Sequence, residues 1–234
     1  MAASHRSLEP ALAEHGLRLR GGWIPTPQDD LPSLGGGAAP AVVWMVGQVG
    51  SECWPVFSGS PFFSDGLPDP MDRWSKSIGD DLALRHGGVA VYPSDGPPYA
   101  PFQQWAQRAE PLQRSPLLLQ IHPQYGLWHA YRFALLLPDL SARDRHWLAC
   151  SVAMPTADLC LQCDGQPCLT ACPVGAFAPH VYAVDVCADH LHGGQGQPCM
   201  ERGCLARRAC PVAIPHHYLP AHAAFHMQAF GQRH

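Results

Sequence analysis

Eight of the chain's ten cysteines fall between residues 160 and 210, in two groups. The first is Cys160-x2-Cys163-x4-Cys168-x3-Cys172-Pro, and the second is Cys187 followed by Cys199-x4-Cys204-x5-Cys210-Pro. Both end on Ala-Cys-Pro-Val, with Cys172 and Cys210 38 residues apart. Thiolates are soft ligands, and a loop that presents them every few residues can wrap three corners of an iron–sulfur cube. The three-residue spacer and proline then send the fourth thiolate away, toward a second cluster. Zinc is the competing reading of Cys160-x2-Cys163 taken alone, but two Cys-Pro ends and a count of eight favour iron–sulfur. The chemistry expected is one-electron transfer through two adjacent 4Fe–4S clusters.

This cysteine pattern resembles the dicluster ferredoxin-type domain, on the pair of Cys-Pro ends and the count of eight. The resemblance implies that Cys160, Cys163, Cys168 and Cys210 hold one 4Fe–4S cluster, and Cys172, Cys187, Cys199 and Cys204 the other. Two spacings depart from the common pattern: DGQP separates Cys163 from Cys168, and LARRA precedes Cys210. They leave the ligand assignment open, with a 3Fe–4S centre as the alternative if one cysteine points elsewhere. Cys53 and Cys150 read as ordinary buried thiols.

The rest of the chain bounds the setting. Fifteen Lys and Arg against nineteen Asp and Glu give a formal charge of -4 with no basic block, so nucleic acid is not an expected partner. The segment MAASHRSLEPALAEHG has no secretory apolar run and no twin arginine, and no later stretch reaches membrane-spanning length. No membrane partner is expected, and the default location is cytoplasmic, where thiols stay reduced and serve as metal ligands.

The elements that must position these cysteines divide at the change in cysteine density. Residues 1–145 read as a layered α/β or α+β body and 146–234 as a small, loop-rich cysteine module with a helical tail. In the body, AVVWMVG (41–47) suits a buried strand. DPMDRWSKSIGDDLALRHGG predicts a helix capped by Asp69, with Pro70 at its first position and Met71, Trp74, Ile78 and Leu82 on one face. VAVY (89–92) reads as a strand and PFQQWAQRAEPL (101–112) as a short helix. LLLQI (117–121) and WHAYRFALLLP (128–138) read as strands joined by the turn HPQYG, and 25–40 reads as loop.

The segment IHPQYGLWHAYRFALLLP resembles the corrinoid-pocket segment of CblC-type cobalamin-processing proteins, through Ile121, His122, Pro123, Gly126, Trp128, Arg132, Leu136, Leu137 and Pro138. LPDPMDRW (67–74) is similar to the same family's helix start. The order of parts also resembles epoxyqueuosine reductases and reductive dehalogenases, in which such a body precedes a dicluster ferredoxin domain. These resemblances imply a nitroreductase-like fold for 1–145 and a cobalamin held near His122, Pro123, Gly126 and Trp128. They imply a corrinoid- and iron–sulfur-dependent oxidoreductase, fed by a redox partner protein as electron donor, in which the clusters deliver low-potential electrons to the corrinoid. The departures are the cluster module, which CblC-type proteins lack, and the absence here of the helical repeats and twin-arginine signal of the other two families. No catalytic acid is assigned. Two alternatives stand beside this reading: a ferredoxin-like carrier with a cofactor-free docking scaffold, and a flavin-dependent reductase, for which no phosphate-binding Arg or Lys cluster is evident.

Among other residues, His222 and His226 are one helical turn apart, a spacing that can chelate a metal, but without a third ligand they read as part of a structural helix. Phe225, Met227 and Phe230 are expected to pack that helix. Arg207 and Arg208 read either as a solvated pair or as donors near the cluster sulfurs.

Overall fold

Regular structure follows the apolar runs in the first half of the chain and thins to single turns where the cysteines begin. The computed structural model describes residues 5–150, 158–178 and 181–233. Along the chain come α1 (His5–Ala13), β1 (Arg18–Trp23), β2 (Val42–Val49), α2 (Trp54–Ser58), α3 (Pro61–Ser64), α4 (Pro70–Arg85), β3 (Val89–Val91) and α5 (Phe102–Ala109). Then come β4 (Gln113–Arg114), β5 (Gln120–Ile121), β6 (His129–Leu137) and α6 (Ala142–Cys150). The cysteine region carries α7 (Pro167–Thr170), β7 (Phe177–Ala178), β8 (Val181–Tyr182), α8 (Val184–His192), α9 (Gln197–Arg202), α10 (Leu205–Arg208) and α11 (Pro220–Arg233). No helix among the described residues is long and apolar enough to cross a membrane.

Contacts divide the chain into two compact units: Met1–Pro111 with Ala130–Met154, and Leu112–His129 with Pro155–His234. The first is a mixed α+β unit around a sheet of order β1-β2-β6-β3, with β1 antiparallel to β2 and β3 antiparallel to β6. All eight residues of β2 are buried, as befits a central strand covered on both faces. Phe133 to Leu137 of β6 are fully buried in the same core.

Helix α4 buries Met71, Trp74, Ile78 and Leu82, the stripe its spacing predicts. Its start differs from the expectation. Asp69 sits at φ 50°, ψ 50°, in the left-handed region instead of the extended conformation usual for a capping residue, and its side chain makes no capping bond. The chain entry is braced by Arg73, which forks onto Asp65 and donates to the Pro68 carbonyl.

The apolar run 117–121 is not the strand its composition suggests. Leu118 has φ 60°, Leu118 N–H donates to the Ser115 carbonyl and Ser115 N–H to the Leu119 carbonyl, so residues 115–119 close as a turn. Only β5 remains extended, and it pairs with β4 through Gln113 opposite Ile121 rather than with β6.

The second unit therefore contains Leu112–His129, which the sequence reading placed in the body. Its core shows why: Leu117, Ile121 and Leu127 pack with Cys168, Ala206 and Cys210. Short cysteine loops carry few large apolar side chains, and this segment supplies them.

Candidate metal centres

Two cavities in the second unit collect the eight clustered cysteines. Cys160, Cys163, Cys168 and Cys210 line the first, walled by Leu117, Ile121, Leu127, Leu159 and Val212. Cys172, Cys187, Cys199 and Cys204 line the second, with Phe177, His190, Leu191 and Met227 among its walls. Each cavity thus takes three cysteines from one run and the Cys-Pro cysteine from the other.

Local geometry explains the two unusual spacings. Cys160 and Leu161 N–H groups donate to Asp158 Oδ1 at 3.0 and 2.9 Å, an Asx-type turn that opens the first loop. In the DGQP insertion, Gly165 (φ 66°) and Gln166 (φ 37°) are both left-handed and turn the chain into α7, with Pro167 at its start and Cys168 buried on it. LARRA is the turn of helix α10, which separates Cys204, lining the second cavity, from Cys210, lining the first. Cys187, isolated in sequence, is carried by α8 with His190 one turn later, and His190 Nε2 lies 4.0 Å from Cys199 Sγ.

Burial favours the neutral thiol at Cys160, Cys168, Cys199, Cys204 and Cys210. Burial, then Asp158 and the neighbouring Cys210, Cys168 and Cys163, push the Cys160 thiol up to about 11. Burial likewise raises Cys168, Cys199, Cys204 and Cys210. Burial and a hydrogen bond to Cys187 push the Tyr182 hydroxyl far up. Metal binding at such sets must expel protons.

Structural zinc needs its sulfurs about 2.3 Å from one point, and among the described residues no three His, Cys, Asp or Glu side chains are placed to hold one metal ion. Ser115 is among the residues around the first cavity, and among the described residues its buried Oγ has no hydrogen-bond partner.

The four residues expected at a corrinoid pocket lie together in the second unit. His122 is 7% exposed, and its Nδ1 accepts N–H bonds from Gln124 at 3.0 Å and Tyr125 at 3.2 Å. A neutral imidazole that accepts at Nδ1 carries its proton on Nε2, so that atom donates rather than ligates. Half-buried Pro123 continues the turn, which His122 and Gly126 close with reciprocal backbone bonds of 2.9 and 2.8 Å. Gly126 has φ 56°, and a Cβ there would meet the Val212 carbonyl oxygen at 2.5 Å. A Gly126→Ala change is expected to destabilise the second unit by about 1–3 kcal/mol, through left-handed strain and the clash, readable as a lower denaturant midpoint.

Trp128 is 2% exposed and covered from within its own unit: the Arg207 guanidinium and the His217 and Tyr218 rings lie 4.6, 4.3 and 5.3 Å from its ring. Arg207 is consequently not half of a solvated pair. Its guanidinium packs on both the Trp128 and the Tyr218 rings, 4.6 Å from each ring centre, and donates from Nη2 to the Leu127 carbonyl. His222 and His226 do lie on a helix, α11, with His222 fully buried against Tyr218 and its Nε2 3.1 Å from that of His226. Met227 of α11 reaches the second cavity. Cys53 is buried, donates to Gln48 Oε1, and is pushed up to about 11 by burial. Cys150, expected to be buried, is exposed at the end of α6, 3.7 Å from His146.

Sequence reasoning missed Ser115 and His190. Neither stands in a motif, and each reaches its cavity only through the turn or helix that carries it.

No protein-family model matches the chain, and no curated protein matches it. Among solved structures, the chain is similar to one described as epoxyqueuosine reductase with a tRNA-Tyr epoxyqueuosine-modified tRNA stem loop. The TM-score is 0.42 at 16% identity, over 77% of this chain and 50% of that one. The chain therefore spans about half the length of that structure's chain.

Proposed function

We propose that this chain is an iron–sulfur electron-transfer protein whose second unit binds two 4Fe–4S clusters. Cys160, Cys163, Cys168 and Cys210 ligate one, and Cys172, Cys187, Cys199 and Cys204 the other. The observation that carries the proposal is the crossed lining of the two cavities, three thiols from one run and the fourth from the other. When bound, such clusters supply reversible one-electron oxidation and reduction. The chain's own part is to present eight thiols and to surround them with apolar side chains that limit water. Leu117, Ile121 and Leu127 do this for the first set, and Phe177, Leu191 and Met227 for the second.

The reading extends to a redox partner protein as donor, a cytoplasmic setting, and, as acceptor, a cobalamin expected within a nitroreductase-like segment 1–145, although the four residues named for its pocket belong to the second unit. That last step rests on the sequence resemblance. The turn role of His122 and the covered face of Trp128 favour the second reading, a carrier whose other unit docks a partner without a corrinoid.

Anaerobic purification with iron, sulfide and zinc analysis tests the first claim, and titration with hydroxocobalamin, followed by its absorption, tests the second. About eight irons and eight sulfides per chain are expected; stoichiometric zinc with no sulfide would sink the redox reading. Saturable corrinoid binding would support the acceptor, and a full complement of iron with no binding would leave the carrier.

A further inference from the structure

The first cavity has a hydrogen-bond donor that comes from outside both cysteine runs. Ser115 is 6% exposed. Its backbone is fully engaged in the turn, N–H to the Leu119 carbonyl at 2.9 Å and carbonyl from Leu118 N–H at 3.0 Å. Among the described residues its hydroxyl has no partner, and Ser115 is one of the residues around the same cavity as Cys160, Cys163, Cys168 and Cys210. Among the remaining walls, Pro116, Leu117, Ile121 and Leu127 offer it no side-chain acceptor. A buried hydroxyl without a partner is costly and rare in a folded chain. Sulfur is the acceptor this cavity is built to contain.

We infer that Ser115 donates its hydroxyl hydrogen to a sulfur of the cluster held by Cys160, Cys163, Cys168 and Cys210, and so raises the reduction potential of that centre alone. The inference rests on the iron–sulfur reading above. The electron that reduces a cluster spreads negative charge over its sulfurs, so a donor aimed at them stabilises the reduced form more than the oxidised one. In an apolar cavity the effect is screened little. The second cavity is lined by different side chains and does not include Ser115, so its centre is outside the reach of this hydroxyl.

The test is a redox titration of the purified holoprotein, monitored by electron paramagnetic resonance, for the wild-type, Ser115→Ala and Ser115→Thr chains, with iron counted in each. Ser115→Ala is expected to keep its iron and to lower one of the two midpoint potentials while the other stays put. Ser115→Thr, which retains the hydroxyl, is expected to hold the wild-type value. In the metal-free protein, Ser115→Ala is expected to melt no lower than wild type, because it deletes a group that is unsatisfied there. Two unchanged potentials with full iron, or two potentials that move together, would overturn the role of Ser115. A wild-type chain that takes up no iron or sulfide would overturn the iron–sulfur reading with it, and the iron count separates that failure from the other.

Discussion

A Cys160→Ala/Cys210→Ala chain is expected to retain one intact cluster, about four irons, whereas Cys160→Ala/Cys172→Ala is expected to damage both. The pairs are chosen because sequence proximity and cavity lining give opposite answers. Cys160 and Cys172 belong to the same run, and a cluster built from each run separately would lose one centre with that pair and keep the other. The cavities cross the runs. Cys210 joins Cys160, Cys163 and Cys168, and Cys172 joins Cys187, Cys199 and Cys204. Removing two thiolates from one cube leaves too few to hold it, while the other set keeps all four. Iron and sulfide analysis with resonance spectra of the anaerobic proteins reads the result directly. Four irons in Cys160→Ala/Cys172→Ala and none in Cys160→Ala/Cys210→Ala would show that the runs act separately and would defeat the crossed assignment.

The parts of the molecule that could be read from sequence are those whose signal is local. The α4 stripe and the apolar runs of β2 and β6 each state their environment within a dozen residues. What could not be read depends on partners far along the chain. The run Leu117–Leu119 looks like a strand by composition, yet Leu118 at φ 60° makes it a turn that buries Leu117 against the cysteine loops more than forty residues on and leaves Leu118 and Leu119 exposed. That same turn brings Ser115 to the first cavity. Arg207 looks solvated beside Arg208 until Trp128 and Tyr218, both outside its run, are found packed against its guanidinium. The strand RLRGGW (β1) has too little apolar character to announce itself, and it carries a fully buried arginine.

That arginine sets the largest stability effect expected in the first unit. The Arg20 side chain is 1% exposed and forks onto Glu110, with Nε and Nη2 at 3.0 and 2.7 Å from the carboxylate oxygens. Its Nη1 donates to the Gln48 carbonyl at 3.0 Å, and its guanidinium lies 5.0 Å from the Tyr131 ring centre. The Tyr131 hydroxyl donates to Glu110, and burial, with the carboxylate's charge beside it, pushes that hydroxyl far above its ordinary range. Deleting one partner of a buried pair leaves the other charge desolvated and uncompensated. Glu110→Ala is therefore expected to cost about 3–5 kcal/mol and to lower Tm by roughly 10–15 °C. Replacing both charges by apolar groups of similar size, Arg20→Met with Glu110→Leu, removes the desolvation cost along with the attraction and is expected to recover most of the loss. Calorimetry of the two variants decides it. A Glu110→Ala chain within about 1 kcal/mol of wild type, on the scale of an exposed ion pair, would mean that solvent reaches Arg20 and that the pair is not a fixed part of the core. A double variant no better than the single would mean instead that the geometry of the fork, rather than its charge, holds β1 to the end of α5.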